Sequence, residues 1–330
     1  MNATQLSKLL SFSVQNNLPV LVKGKPGIGK SDIVSQVSDN LGYKLIISHP
    51  VVSDPTDYKG LPFVVNGGAE FLPFGELNEL IKTQEPLIYF LDDFGQASPS
   101  VQAAAMQLLL ARQINGHKIS NEVRFIAATN RREDKAAVSG LLEPVKSRFA
   151  SIVELEVSTD DWVKWALTHG MPTEIISFIQ FRPELLDNFE ATKEIKNSPS
   201  PRTVAFAGKM INAGVPSDLM FEAFEGAAGE SFAHELTAFL KVYLTLPSIH
   251  QIKMDPLNCK IPDSVAGKFA ICGAIADNMN PENIEPFVSY TERLSPEMGV
   301  MCMKNATIKH PEVCNTRTYI QWATNKANVI

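Results

Sequence analysis

Apolar positions in the first half of the chain alternate between two periods. Thr4 to Val14 carries Leu6, Leu9, Leu10 and Val14 at helical spacing, which predicts an amphipathic helix. Leu18-Pro19-Val20-Leu21-Val22 is a short continuous apolar run suited to a buried strand. From Ser31 to Val37 the helical period returns, and Gly42 closes that helix before a second strand, Lys44 to Ile47. Asp54 to Gly60 is polar and turn-rich. Phe63-Val64-Val65 and Ala69-Glu70-Phe71 flank Asn66-Gly67-Gly68, the strongest short-range signal for a β-hairpin. Phe74 to Lys82 is helical again, and Leu87 to Leu91 is an apolar strand that ends in Asp92-Asp93. Ser98-Pro99 supplies a cap followed by proline at the first helical position, so a helix starts there and runs to about Arg112. Gln113 to Lys118 is a second Asn-Gly hairpin, Val123 to Thr129 a buried strand ending in Asn130, Leu141 to Lys146 a short helix, and Ile152 to Leu155 a last strand.

Beyond Val157 the strand period disappears. Thr159 is placed to cap a helix with Trp162, Trp165 and Ala166 on one face, and Ser200-Pro201-Arg202 repeats the cap-proline start before a helix to about Ile211. Two further helical stretches span Pro216 to Tyr243, Leu246-Pro247 and Asp255-Pro256 mark a break, and the remainder from Pro262 is helical. Strands alternating with helices predict a parallel α/β sheet flanked by helices; the helices that follow predict a separate α-helical region. The expected division is 1–156 for the α/β domain, 157–250 for an α-helical lid and 251–330 for a helical C-terminal extension. Trp162, Trp165 and Trp322 are expected in the core rather than as stacking platforms.

Composition narrows the partners. A net charge of −6 over 330 residues argues against a general nucleic-acid binder. No apolar run reaches membrane-spanning length, and Met1 to Lys8 lacks the basic-then-apolar layout of a secretory leader. Cys259, Cys272, Cys302 and Cys314 show no C-x-x-C spacing and no accompanying His cluster, so they are expected to be reduced, half-buried thiols of a cytoplasmic protein rather than zinc ligands.

The chemistry concentrates in Gly24-Lys25-Pro26-Gly27-Ile28-Gly29-Lys30-Ser31, which satisfies the G-x-x-x-x-G-K-[ST] phosphate loop. Its glycines let successive N–H groups turn inward onto phosphate oxygens, Lys30 supplies charge for the β- and γ-phosphates, and the Ser31 hydroxyl suits Mg²⁺. The flanks are right: a strand precedes the loop and a helix N-terminus follows it. Asp92, at the end of an apolar strand, suits the Mg²⁺ shell, and Asp93 suits a base that orients the attacking water. Asn130 at the next strand end could bond the γ-phosphate or that water. Arg148, in Lys146-Ser147-Arg148-Phe149, and Arg202 at a lid helix start could both neutralise phosphoryl charge. Each of these, taken alone, would also pass for an ordinary strand-end or surface residue.

Taken in order, the phosphate loop, Asp92-Asp93, Asn130, Arg148 and Arg202 resemble the motifs of an AAA+ ATPase, where they correspond to Walker A, Walker B, sensor 1, arginine finger and sensor 2. The chain is more narrowly similar to the MoxR branch. That likeness rests on Asp54-Pro55-Thr56-Asp57-Tyr58-Lys59-Gly60, the hairpin after it, Phe90 to Ala97, Ala127-Ala128-Thr129-Asn130-Arg131 and Ser200-Pro201-Arg202-Thr203. It covers about Leu18 to Ile211. The resemblance implies an ATP hydrolase using ATP and Mg²⁺ that works as a homo-oligomeric ring, a hexamer, and remodels a protein client. In the MoxR branch that client is often a von Willebrand factor A domain protein. Two points depart from it. The family usually carries Glu at the position of Asp93, one methylene longer, and Arg131 or Arg132 competes with Arg148 for the finger. A nucleic-acid motor or loader on the same core, and a slow nucleotide-dependent switch, are the alternatives.

Overall fold

The computed structural model describes residues 1–134, 140–189 and 194–326. The chain divides into two compact units, Met1–Val157 and Ser158–Ile330.

In the first unit, α1 (Ala3–Gln15) leads into β1 (Val20–Lys23), α2 (Lys30–Leu41) and β2 (Lys44–Ser48). Then come α3 (Pro55–Lys59), a hairpin of β3 (Leu61–Val65) and β4 (Gly68–Leu72), α4 (Gly75–Lys82) and β5 (Leu87–Leu91). The unit closes with α5 (Pro99–Ala111), the small hairpin β6 (Gln113–Ile114) and β7 (His117–Lys118), β8 (Val123–Thr129), α6 (Glu143–Lys146) and β9 (Ser151–Glu154). Five strands make one parallel sheet in the order β2-β5-β8-β1-β9. The fold is the expected one: a parallel sheet of the P-loop AAA+ type, flanked by helices and followed by a helical C-terminal region.

The period-two alternation of the strands decides which layer each residue joins. Val20, Val22, Ile88, Phe90, Ile126 and Ala128 face α1 and α2, meeting Leu6, Leu10, Ile33, Val34 and Val37. The intervening residues Leu21, Leu87, Tyr89, Leu91, Phe125 and Ala127 face the opposite layer and pack on Leu77, Leu80, Val101, Ala104 and Leu108. The interior strand β5 is buried along its whole length, which is why its sequence reads as an unbroken apolar run.

Four local expectations need correction. Asp54 to Gly60 is not only a turn: it contains α3, because Asp54 accepts from Thr56 N–H while Asp57 accepts from Asp54 N–H, so a capping box opens a one-turn helix. The helix after Val157 is capped by Ser158, whose Oγ accepts from Asp161 N–H at 3.3 Å, and Thr159 is its first residue. A helix at Thr173–Phe181 is absent from the sequence reading, although Glu174, Ser177 and Gln180 recur at helical spacing among its apolar residues. Cys272 and Cys302 are fully buried rather than half-buried.

The second unit is helical throughout its described residues. It comprises α7 (Thr159–Thr168), α8 (Thr173–Phe181), α9 (Pro201–Asn212), α10 (Met220–Ala228), α11 (Glu230–Tyr243), α12 (Ile249–Met254), α13 (Val265–Asn278), α14 (Ile284–Thr291), α15 (Pro296–Lys309) and α16 (Arg317–Asn325). α8 is its centre. Phe178 meets Phe232 edge-on at 5.5 Å and Phe239 at 5.6 Å, both from α11. On its other side α13 approaches closely at Gly273, where an added Cβ would fall 1.9 Å from Ser177 Oγ. Gln180 and Asn305 exchange reciprocal amide bonds of 3.1 and 2.9 Å, which satisfies both groups and ties α8 to α15. Trp162 and Trp322 are buried, and Trp165 is half-buried. Among the described residues, no helix is long and apolar enough to cross a membrane.

Candidate functional site

Register brings the candidate residues to one sheet edge. Lys23 of β1 is level with Thr129 of β8 and Glu154 of β9, and Leu91 of β5 is level with Ala127. Gly24, Asn130 and the Asp92-Asp93 pair therefore emerge side by side at the carboxyl ends of adjacent strands, where open α/β sheets bind ligands.

The loop between β1 and α2 needs its glycines. Gly27 and Gly29 adopt φ of +76° and +90°, which an L side chain rarely takes. At Gly24 the constraint is space: an added Cβ would lie 2.6 Å from Ile28 Cδ1 and 2.9 Å from the Leu155 carbonyl oxygen. Gly29 leaves α2 without a side-chain cap. The N–H groups of that first turn and the positive end of the helix dipole thus face the loop, an arrangement suited to anions.

Lys30 is buried, and its ammonium donates to the carbonyl oxygens of Gly24 (3.0 Å) and Lys25 (2.8 Å) and to Asn130 Oδ1 (2.8 Å). Asn130, also buried, donates in turn from Nδ2 to Asp93 Oδ1 at 2.9 Å. Beside this chain, the Ser31 hydroxyl donates to Asp92 Oδ2 at 2.7 Å, and Asp92 Oδ1 accepts from the Asp93 N–H at 3.1 Å. Asp92 is held from its other flank, since its N–H donates to the Ser48 carbonyl of β2 at 2.9 Å. Lys30, Ser31, Asp92, Asp93 and Asn130 are thus one connected hydrogen-bonded cluster. Asp93 sits at φ +53°, ψ +32°, a left-handed conformation uncommon outside glycine but less so for Asp than for most residues.

Arg148 lies outside that cluster. It is half-buried just after α6 and donates to Ser147 Oγ at 3.0 Å, while its Nε is buried without a described partner. Arg202 is exposed in the first turn of α9, in the second unit. Arg131, the alternative finger, is engaged within its own neighbourhood. Its Nε and Nη2 form a fork on Asp134 at 2.9 and 2.7 Å, and Nη1 reaches Glu154 at 3.4 Å. The side chain of Arg132 is outside the described residues. The Asp134 and Glu154 contacts are additions to the sequence reading. The Arg-x-x-Asp spacing was a usable signal for the first, whereas the second depends on the β1–β9 register, which the sequence does not display.

Against known proteins, residues 19–149 match the family model described as AAA domain (dynein-related subfamily). This stretch resembles an AAA domain. It contains the phosphate loop, Asp92, Asp93, Asn130 and Arg148, and AAA domains as a class bind nucleotide. Midasin from Giardia intestinalis is 27% identical over 188 residues, 54% of this chain but only 4% of that relative's length. Among solved structures, a point variant of RuvB from Thermotoga maritima is 15% identical, with 75% of this chain and 76% of that one covered and a TM-score of 0.41. NtrX from Brucella abortus is 13% identical, with 92% and 67% covered and a TM-score of 0.43.

The side chains present fit a Mg²⁺–nucleotide pair. Ser31 Oγ and Asp92 Oδ2, 2.7 Å apart, are the hard oxygen donors that Mg²⁺ takes alongside phosphate and water. The phosphate loop and Lys30 supply the complementary positive field.

Proposed function

We propose that this chain is an ATP hydrolase of the MoxR-like AAA+ type, working as a homo-oligomeric ring, a hexamer, that remodels a protein client. The observation that carries the hydrolase reading is the chain Lys30–Asn130–Asp93 beside the pair Ser31–Asp92. It sets a cation, a base and an amide around the mouth of an anion-binding loop. Lys30 exchanges part of its present carbonyl and amide bonding for the β- and γ-phosphates. Ser31 and Asp92 would hold Mg²⁺, which would supply positive charge against the negative charge developing on the phosphates. Asp93 takes the proton of the attacking water, and Asn130, already within 2.9 Å of that carboxylate, fixes the water or the γ-phosphate relative to it. Arg148 reaches the site of a neighbouring subunit as the arginine finger, and Arg202 couples a lid formed by residues 157–250 to nucleotide state.

The client reading rests on the hairpins. Phe63, Val64, Phe71 and Leu72 of β3 and β4 are exposed, an expensive surface for a monomer to present unless something binds it. The second hairpin braces α3 and the first hairpin: Asn115 Nδ2 donates to the Lys59 carbonyl at 2.8 Å, and His117 Nε2 lies 3.0 Å from the Phe71 carbonyl. A von Willebrand factor A domain protein is the client class this reading names.

A slow nucleotide-dependent switch is the second reading, favoured by one observation: Asp93 is shorter than the usual Glu and already held by Asn130. Steady-state phosphate release with Mg-ATP separates the two, and Lys30→Ala controls for the site. Turnover in the wild type, with loss of tight ATP binding in folded Lys30→Ala, supports the hydrolase. ATP binding without turnover supports the switch, and ATP affinity unchanged in Lys30→Ala refutes the site.

A further inference from the structure

Three adjacent strands end in a chain of alternating charge. Lys23 Nζ, on the residue just before the phosphate loop, pairs with Glu154 Oε2 of β9 at 2.7 Å. Glu154 Oε1 accepts from Arg131 Nη1 at 3.4 Å, and Arg131 grips the buried Asp134 with both Nε and Nη2. Glu133 adds a further contact to Nε at 3.5 Å. Every nitrogen of the guanidinium therefore faces a carboxylate. The Lys23 contact holds the Glu154 carboxyl below its ordinary range, and Asp134 pushes the guanidinium further up, so the chain stays charged.

Both cations of this chain are covalently next to the site. Arg131 follows Asn130 directly, and Lys23 precedes Gly24 directly. The backbone adds two crosslinks of the same three strands: Gly24 N–H donates to the Thr129 carbonyl at 3.2 Å, and Leu155 N–H to the Lys23 carbonyl at 2.9 Å. A finger has to leave its own subunit's carboxylates and reach a neighbour's phosphate. Arg131 would have to give up a bidentate bond to a buried acid to do so, which is costly.

We infer that Arg131 is a positioning residue of its own subunit's nucleotide site, not a finger: through Glu154 and Lys23 it locks the β8 end that carries Asn130 to the β1 end that carries the phosphate loop. The inference rests on the hydrolase reading above for its kinetic part only. Mispositioning by a fraction of an ångström is what such a lock prevents, and its loss is expected to slow chemistry more than binding.

The experiment has a kinetic arm and an arm that needs no turnover. In the first, Arg131→Ala and Glu154→Gln each lower kcat about tenfold with ATP Kd changed less than about threefold. The double variant is no slower than Arg131→Ala alone, and Arg131→Lys, which keeps the charge but not the fork, falls between. Arg131→Ala subunits mixed with Lys30→Ala subunits show no rescue. Rescue in trans, multiplicative loss in the double variant, or unchanged kcat each overturns the inference. In the second arm, amide hydrogen exchange of the nucleotide-free protein accelerates about tenfold at residues 24–31 in Arg131→Ala and Glu154→Gln, while the core of β5 is unchanged. Unaltered exchange in that loop overturns the inference. A wild type without turnover refutes only the hydrolase reading, and this arm then decides alone. Should Arg131→Ala not fold, Glu154→Gln, at a half-exposed site, carries both arms.

Discussion

Replacing Asn130 by alanine removes one side chain that holds two opposite charges at once. Its Oδ1 accepts from the Lys30 ammonium at 2.8 Å and its Nδ2 donates to the Asp93 carboxylate at 2.9 Å. Hydrogen bonds to charged partners are worth about 1.5–3 kcal/mol each. The two do not simply add, because Lys30 keeps the Gly24 and Lys25 carbonyls and Asp93 is accessible enough for water to replace the amide. A net loss of about 2 kcal/mol follows for the nucleotide-free protein, or a Tm lowered by about 4–8 °C at the 2–4 °C per kcal/mol usual for units of this size. Binding moves the other way. Asn130 competes with phosphate for Lys30, so its removal leaves ATP affinity unchanged or raises it by up to about tenfold, the equivalent of one bond of roughly 1.4 kcal/mol. Catalysis suffers most: losing a donor that fixes the reacting groups costs about 10²–10³ in kcat. Thermal denaturation without nucleotide, titration with a fluorescent ATP analogue and phosphate release measure the three quantities. Weaker ATP binding by more than tenfold, or kcat within threefold of wild type, would refute the reasoning. Asn130→Asp sharpens it, since a second carboxylate beside Asp93 discourages ionisation of both and should move the rising limb of the pH–rate profile to higher pH.

Arg148→Ala is expected to leave ATP binding nearly intact and to reduce kcat about 10³-fold or more, with partial recovery when mixed with Lys30→Ala subunits; a co-assembled mixture without recovery would count against a shared site. Gly24→Ala should fold poorly or lose nucleotide affinity, because its methyl would press on the Leu155 carbonyl at 2.9 Å as well as on Ile28; calorimetric ATP titration reads the loss. Glu154, whose carboxyl lies below its ordinary value of 4.5 chiefly through the Lys23 contact, contributes stability that is complete above that value and is lost as pH falls through its folded pKa. Acid unfolding of Glu154→Gln should therefore show a shallower loss of stability below about pH 4.5 than the wild type, and an identical slope would exclude the contribution. Shortening Asn66-Gly67-Gly68 should spare ATP hydrolysis and abolish action on a client, read by pull-down from the native host with an Asp93→Asn trap; recovery of nucleic acid with no enriched protein would favour a motor instead.

The parts of the fold that were legible are those where one local signal coincides with one structural need. Val20, Leu21 and Val22 form an unbroken apolar run because the sheet buries both faces, and Asn66-Gly67 and Asn115-Gly116 turn hairpins because positive φ is required there. The strand order β2-β5-β8-β1-β9 was beyond local reading, since adjacency depends on crossovers between segments tens of residues apart. The same holds inside the site. That Lys30 is a phosphate lysine follows from its motif. That its ammonium meets Asn130, a hundred positions later, follows only from register. Arg131 shows the limit most plainly: adjacent to a strand-end amide and beside a second arginine it competes with Arg148 for the finger, and only the acids at Asp134 and Glu154 reveal where it points.

Asp93 joins backbone and chemistry in a way that bears on why an aspartate stands there. Its φ of +53° and ψ of +32° lie in the left-handed region, which Asp tolerates several-fold better than most side chains because its short carboxylate bonds locally. A Glu at the same backbone would pay on the order of 1 kcal/mol for that conformation, by the same enrichment ratio. The geometry also offsets the missing methylene in part. The left-handed turn after β5 swings the residue toward β8, and its carboxylate already meets Asn130 Nδ2 at 2.9 Å. Chain reach and backbone cost therefore oppose each other at this position. A Glu extends further toward a bound nucleotide and loosens the turn that aims it, whereas Asp keeps the turn and depends on Asn130 for its aim. On this argument Asp93 and Asn130 work as one unit, and substituting Glu helps only where the longer side chain can still meet the amide.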